Sequence, residues 1–325
     1  MKYCSLLSII CVTWLFLGMC YAQSPVEKHG RLTVANGKIV NEMGQEPQLR
    51  GVSLSWSVWG GKKYYTPEIV DWLVKDFKIN LLRISMAIEP KDAYLQKPDE
   101  QYKLVTAVLD RALENGIYVL IDWHDHHANK NVEAAKVFFT KLAQQYQGNT
   151  QIIYEIWNEP ERVSWQIVKE YAVEMIKTIR EQDQHNVIVV SSPHWCQDVD
   201  IAAEDPILDK ENIAYSFHFY ASDPNHQGIL RSRAEKAVKQ GLPLFVTEWG
   251  VGEANGDGVF DESKTAIWLK WMEKNKLSWT NWNITDKEET TAILKPGAST
   301  NGQWEDKELT PAGLYIKEKL KKLNK

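Results

Sequence analysis

The chain has 325 residues, 44% hydrophobic and 25% charged, a composition that excludes a disordered, collagen-like or multi-pass membrane protein. Its formal charge of −5 comes without any block of Lys or Arg, which argues against nucleic acid as a partner. Trp and Tyr number 14 and 13 against 8 Phe, a bias toward rings with a polar edge that suits a wet binding surface.

Residues 1–22 read as a secretory signal: Lys2, an apolar run from Leu6 to Met19, then Cys20-Tyr21-Ala22 before the expected cleavage point. The run is short for a membrane span. The mature chain, residues 23–325, is therefore expected outside the cell and off the membrane. Cys4, Cys11 and Cys20 would leave with the leader, so Cys196 would remain alone, as a buried small residue rather than half of a disulfide. Stability must then come from a large core.

Arg31–Val40 alternates apolar and polar about Asn36-Gly37, a two-residue hairpin signal. Eight apolar strand candidates follow: Gln48–Val52, Asn80–Ala87, Tyr118–His124, Ile152–Glu159, Asn186–Ser192, Ile213–Tyr220, Pro243–Gly250 and Trp279–Thr285. Their starts recur every 27–38 residues, near the roughly 30 that a strand–helix unit requires. Helices are expected over Pro67–Lys78, Gln101–Asn115, Val132–Gln145, Ser164–Gln182, Leu230–Lys239, Glu262–Lys274 and Pro311–Leu323. Between the fifth and sixth strands, Asp205-Pro206 to Asn212 leaves room for only a short helical turn. Eight such strands close into an α/β fold, a (β/α)8 TIM barrel with a short N-terminal β-hairpin, in one domain. A doubly wound open sheet is the alternative, but no strand end carries the Gly-rich turn expected of it.

Active sites of such barrels lie at the C-terminal ends of the strands. Here those ends read Leu82-Arg83-Ile84, Asp122-Trp123-His124-Asp125-His126-His127, Trp157-Asn158-Glu159-Pro160, Pro193-His194-Trp195, His218-Phe219-Tyr220, Thr247-Glu248-Trp249-Gly250 and Asn281-Trp282-Asn283. Glu159 on the fourth strand and Glu248 on the seventh can face each other across the mouth. Such a pair is the equipment for glycosidic bond cleavage, one carboxyl as proton donor and the other as nucleophile or base. Arg83, inside an apolar run, is expensive to bury unless paired.

The cluster His124-Asp125-His126-His127 invites a metal reading. Consecutive residues at a strand end do not project to one point, so His124 alone is expected to face the mouth, and no metal or other cofactor is expected. Ser191-Ser192 and Cys196 lack a nucleophile-elbow context. Asn283-Ile284-Thr285 fits the N-glycosylation pattern but lies on the eighth strand, where it is expected to fold inside and stay unmodified.

The segments Ile156-Trp157-Asn158-Glu159-Pro160, Val246-Thr247-Glu248-Trp249-Gly250, Leu82-Arg83-Ile84-Ser85, Asp122-Trp123-His124, His218-Phe219-Tyr220, Asn281–Lys287 and Leu294–Ala298 resemble glycoside hydrolase family 5, in its branch of secreted bacterial-type endo-β-1,4-glucanases. That resemblance extends from about residue 30 to the C-terminus. It implies a retaining double displacement with Glu159 as acid/base and Glu248 as nucleophile. It further implies Arg83 and Tyr220 as partners that keep Glu248 ionised and oriented, Asn158 on the sugar 2-hydroxyl, and His124 and His218 on substrate hydroxyls and the carboxylates. Trp282 would be a sugar platform, Trp59 and Trp195 would line flanking subsites, and Lys287 and Glu289 would grip hydroxyls on the non-reducing side. The chain departs from the pattern at Ser55, where a His is common.

The donor carboxyl must be protonated at working pH, so its site is expected to raise its pKa. The partner implied is a β-1,4-linked glucan polysaccharide or oligosaccharide, and the protein itself is expected to be a monomer. Two alternatives stay open at this point: another β-glycan such as mannan, xyloglucan, xylan or mixed-linkage glucan, and a non-catalytic sugar-binding barrel, which would require loss of one carboxylate.

Overall fold

The structure, a computed structural model, describes residues 23–325; the expected leader with its three cysteines lies outside the described residues. Ten strands are present: β1 (Thr33–Ala35), β2 (Lys38–Val40), β3 (Arg50–Leu54), β4 (Leu81–Ala87), β5 (Tyr118–His124), β6 (Ile152–Glu155), β7 (Ile188–Val190), β8 (Ile213–Tyr220), β9 (Leu244–Gly250) and β10 (Trp279–Ile284). β1 and β2 pair antiparallel, and β3 to β10 close into a barrel of eight parallel strands. The hairpin and the (β/α)8 barrel are thus both present. Asn36 and Gly37 have φ of 52° and 72°, the paired positive values of a type I′ turn. A Cβ on Gly37 would meet the Gly241 carbonyl oxygen at 2.4 Å.

Side chains alternate along each strand. One set, including Leu82, Ile84, Val119, Ile121, Tyr154 and Val246, packs outward beneath the helices in the main core. The other set fills the barrel. Its lower part is apolar, with Leu81, Tyr118, Leu120, Ile153, Val189, Ala214 and Phe245 packed on Leu32 and Ile39 from the hairpin segment. Higher on the same strands it changes to Ser53, Arg83, Ser85, Asp122, Glu155, Ser216 and Thr247, all buried.

The helices Val132–Gln145, Glu262–Lys274 and Pro311–Leu323 fall where the pattern places them. Pro98–Glu114 starts three residues before the expected Gln101, because Pro98 suits a first helical turn. The segment from Pro67, capped by the Thr66 hydroxyl, changes to a π turn over Leu73–Phe77 and stops at Lys78 with φ 60°. The helix expected at Leu230 starts at Gly228, and Trp165–Arg180 is capped by Ser164. Between β7 and β8 the helical turn is Val199–Glu204, ahead of the irregular Asp205–Asn212. Two expected strands are shorter than their apolar runs: pairing stops at Glu155 in β6 and at Val190 in β7. Among the described residues no helix is long and apolar enough to cross a membrane.

β9 departs from regular pairing. Against β8, Ser216 faces Phe245 and His218 faces Glu248; against β10, Trp279 faces Val246 and Asn281 faces Trp249. β9 therefore holds one extra residue on both sides, a β-bulge. The bulge breaks alternation so that Thr247 and Glu248, adjacent in sequence, both contact residues of the upper barrel interior.

Candidate active site

The carboxyl ends of the strands surround a cleft of about 570 Å³. At its floor lies Arg83, fully buried, with Asn158 and three acidic side chains closest around it and the Ser53 and Ser85 hydroxyls at 3.5 and 3.4 Å. Nη1 donates to Glu248 Oε2 at 2.8 Å, Nε to Glu155 Oε2 at 2.7 Å and Nη2 to Asn158 Oδ1 at 2.6 Å, while Asp122 Oδ2 lies 2.9 Å from Nη2 as an ion pair. One cation thus faces three carboxylates, and the arrangement satisfies the pairing that a buried guanidinium demands. Burial pushes Glu155 up, but Arg83 and His218 outweigh it and hold the carboxyl at about 2. Burial raises Asp122 well above the usual range, with Glu155 opposing Arg83 beside it.

Glu248 receives a second donor. The Tyr220 hydroxyl donates to Oε1 at 2.7 Å, so each oxygen of the carboxylate is held by one residue. Burial, with Glu248 beside it, raises the phenol well above its usual value, which keeps it a donor. The glycine of Glu248-Trp249-Gly250 has a steric reason: a Cβ there would meet Tyr220 Cδ1 at 2.5 Å.

Glu159 sits past the end of β6 on an extended arm. Its N–H donates to the Asp125 carbonyl at 3.3 Å, and that of Asn158 to the Trp123 carbonyl at 3.0 Å. Oε1 is hydrogen-bonded to His218 Nδ1 at 2.8 Å. His218 Nε2 lies 2.9 Å from the Thr247 hydroxyl, which donates in turn to Glu155 Oε1 at 2.5 Å. Because a carboxylate only accepts, the Thr247 hydroxyl spends its hydrogen on Glu155 and its oxygen accepts from Nε2–H. Burial disfavours the His218 cation, but the acids around it, Glu155 and Glu159 included, raise it well above its usual value.

The expectation that the donor's site raises its pKa is not met in the open cleft. Burial pushes Glu159 up, yet His218, and beyond it His126 and His124, hold it below the ordinary value. The physical reason is the imidazole seated directly on Oε1.

His124 is hydrogen-bonded to Asp122 through Nδ1 at 2.5 Å, and burial together with Arg83 lowers it to about 3, so the ring is neutral. It stacks parallel to Trp282, centroids 5.2 Å apart, and lies nearly perpendicular to Trp56, centroids 4.1 Å apart. Trp282 also covers the Arg83 guanidinium at 6.0 Å. Trp59, 67% exposed, stands 5.5 Å from Trp56 at the cleft wall. Lys287 and Glu289 line the cleft and pair with each other, and Ser55 lines it too.

Other residues fall elsewhere. Trp195 is half-buried and is not part of the cleft lining. Its backbone matters instead: His194, Trp195 and Cys196 have φ of 51°, 54° and 59°, a left-handed run that non-glycine residues adopt only under strain. In that turn the N–H groups of His194 and Trp195 donate to the carbonyls of Glu161 and Pro160 at 3.1 and 2.9 Å. Cys196 is buried and its thiol donates to the Asn158 carbonyl at 3.0 Å; burial raises the thiol to about 11. Asn283 is fully buried.

The histidine cluster is divided, and His124 does not face the mouth alone. His126 also lines the cleft, while His127 turns away to Glu89 at 2.9 Å. Glu89, Asp125 and His127 bring ligand-capable atoms within 4.8 Å of one another. Hydrogen bonds among themselves and to Asn131 already engage Glu89 Oε2, His127 Nδ1 and both Asp125 oxygens. Sequence reasoning missed Asp122, Glu155, Thr247 and His126. For Asp122 and Glu155 the signal was available: each is a charge within an apolar strand run, as Arg83 is.

The family description Cellulase (glycosyl hydrolase family 5) matches residues 40–288. Endoglucanase N of Pectobacterium atrosepticum is 38% identical over 305 residues, covering 92% of this chain and 67% of its own. Endoglucanase Z of Dickeya dadantii is 40% identical over 285 residues, covering 87% and 64%. The chain thus spans about two thirds of the length of these relatives. A Cytophaga hutchinsonii structure superposes with a TM-score of 0.90 at 42% identity, covering 93% of this chain and 98% of that one. The catalytic domain of a Thermobifida fusca endoglucanase, a glutamate-to-glutamine variant in complex with cellotetraose, gives 0.87 at 32% identity, covering 92% and 100%.

Proposed function

The chain belongs to glycosyl hydrolase family 5, the cellulase family, and from that premise we propose that it is a secreted endo-β-1,4-glucanase acting on cellulose-type polysaccharides with retention of configuration. The observation that carries this reading is the spacing of two carboxylates in unlike surroundings. Oxygens of Glu159 and Glu248, with a His218 nitrogen, lie within 4.8 Å of one another. Retention calls for carboxyl groups about 5–5.5 Å apart, whereas inversion needs about 6.5–9.5 Å to admit a water.

In this mechanism Glu248, aimed by Arg83 and Tyr220, attacks the anomeric carbon while Glu159 protonates the departing glycosidic oxygen. His218 occupies Oε1, and Oε2 accepts no hydrogen bond among the described residues, so Oε2 is the oxygen that serves the leaving group. Substrate filling the cleft removes water from Glu159 and favours its neutral, proton-bearing form. Water then attacks the glycosyl–Glu248 ester, giving its proton back to Glu159. Asn158, held by Arg83, is placed to meet the sugar 2-hydroxyl, a contact that strengthens in the oxocarbenium-like transition state. Trp282 and Trp59 offer apolar faces for pyranose rings.

Glu159→Gln and Glu248→Gln are expected to lose several orders of magnitude in kcat on soluble β-glucan while keeping a cooperative melt. Near-normal turnover by either variant would overturn the assignment. Chromatography of products from a panel of β-glucans and mannans tests the substrate class. Secretion is tested by the N-terminal residue of exported protein, expected to be Gln23.

A further inference from the structure

The acid/base carboxyl has two oxygens, and His218 accounts for one. The other, Oε2, lies 3.6 Å from Nε2 of His126 on the loop after β5. That separation is too long for a hydrogen bond, so an oxygen approaching Oε2 from the cleft comes within reach of the imidazole as well. His126 is not a loose surface ring. Its Nδ1 is 3.0 Å from Glu161 Oε1, and its ring meets Trp56 at a steep angle of 62° with centroids 6.0 Å apart.

Three backbone hydrogen bonds keep this geometry. Glu159 N–H donates to the Asp125 carbonyl, tying the loop after β6 to the loop after β5 next to His126. His194 and Trp195, from their left-handed turn, fix the carbonyls of Glu161 and Pro160. The strained turn therefore holds the segment that carries both Glu159 and the partner of His126.

Chemistry follows from the Glu161 contact. A carboxylate only accepts, so Nδ1 carries the hydrogen and Nε2 faces Oε2 as a lone pair in the neutral ring or as N–H in the cation. In the neutral ring a lone pair faces Oε2–H and in the cation an N–H faces an ionised Oε2, so closing the 3.6 Å gap would meet either state of the acid/base. His218 cannot do this, because it is only 1% exposed and committed to Oε1 and Thr247. His126, with its side chain 30% exposed, reaches the cleft.

Resting on the assignment of Glu159 as acid/base, we propose that His126, oriented by Glu161, is a positioning residue for the proton-bearing oxygen of Glu159. In the first step the proton passes from Oε2 to the glycosidic oxygen, which takes the C–O electron pair as Glu248 bonds to carbon. In the second, the attacking water gives one of its own protons to Oε2 as its oxygen bonds to carbon and displaces Glu248. His126 ends the cycle with the protons it began with; its part is to hold Oε2 in line.

The test exploits leaving groups. Dinitrophenyl β-cellobioside leaves without a proton, whereas a cello-oligosaccharide needs one, and kcat/KM reports the bond-breaking step for both. His126→Ala is expected to lower kcat/KM about tenfold on cellopentaose and less than about twofold on the dinitrophenyl substrate. Glu161→Gln, a change at the exposed side of the pair, should act in the same direction with a smaller loss. Equal losses on both substrates, as a structural or sugar-binding role would give, overturn the proposal, as does no loss on either. A wild-type protein that cleaves neither substrate would instead overturn the assignment of Glu159 itself.

Discussion

The lower and upper halves of the barrel interior are built by the same strands with opposite chemistry. On β4 the inward sequence is Leu81, Arg83, Ser85; on β5 it is Tyr118, Leu120, Asp122, His124; on β9 it is Phe245, then Thr247 and Glu248. Below, apolar side chains interlock with the hairpin segment and need nothing but close packing. Above, one arginine faces three buried carboxylates, and every added charge needs a partner. The difference teaches that stability and reactivity are separated by a few ångströms along each strand. The lower layer contributes hydrophobic burial, and that burial offsets the desolvation of the charges above it.

The largest expected effect breaks the upper half. Arg83→Met leaves Asp122, Glu155 and Glu248 without their shared cation, so kcat should fall at least on the order of 10²–10³ and stability by about 3–5 kcal/mol. Turnover assays with a urea melt check both. Phe245→Ala breaks the lower half instead: a stability loss of about 3–5 kcal/mol is expected, with kcat unchanged below the melting transition. If Phe245→Ala altered kcat as strongly as stability, the two halves would not be separable.

Much of this architecture is legible in the sequence. Strand order, the hairpin and the helices could be read because periodicity and turn chemistry are local. The Asn158-Glu159 and Glu248-Trp249-Gly250 ends were legible because polar residues there interrupt buried apolar runs. What stayed hidden depends on register. The β9 bulge brings Glu248 to the same side as Thr247, which alternation forbids, and so sets its carboxylate between Arg83 and Tyr220. His126 lies past the end of β5, where strand alternation no longer applies, and the loop there brings it to the cleft. The pattern around Trp195 suggests a subsite ring, whereas the fold uses its N–H. The lowered Glu159 reflects an imidazole 59 positions away in sequence, which no local pattern reports.

A third test sharpens the comparison through pH. His124 is buried neutral with a folded value of about 3 against an ordinary 6.5. Between those values the unfolded chain binds the extra proton, so stability falls as pH drops from 6.5 toward 3, by at most about 1.4 kcal/mol per pH unit. His218 is raised, and its contribution is present below 6.5 and lost as pH climbs through the folded value. His124→Asn should therefore flatten the acid limb of the stability curve, measured by urea melts across pH; an unchanged limb would place its origin elsewhere.

The smallest expected effect is steric. Gly250→Ala pushes the Tyr220 ring away from Glu248, and kcat should drop about tenfold with little change in melting temperature. A fully active variant would mean that Tyr220 need not be held in place.

Retention requires Glu248 to attack carbon directly, with Glu159 on the opposite side. Proton NMR of the first product released from a β-glucan reads this most directly. Retention predicts that the newly formed reducing end appears first as the β-anomer and mutarotates to α only afterwards; an α-anomer appearing first would contradict it.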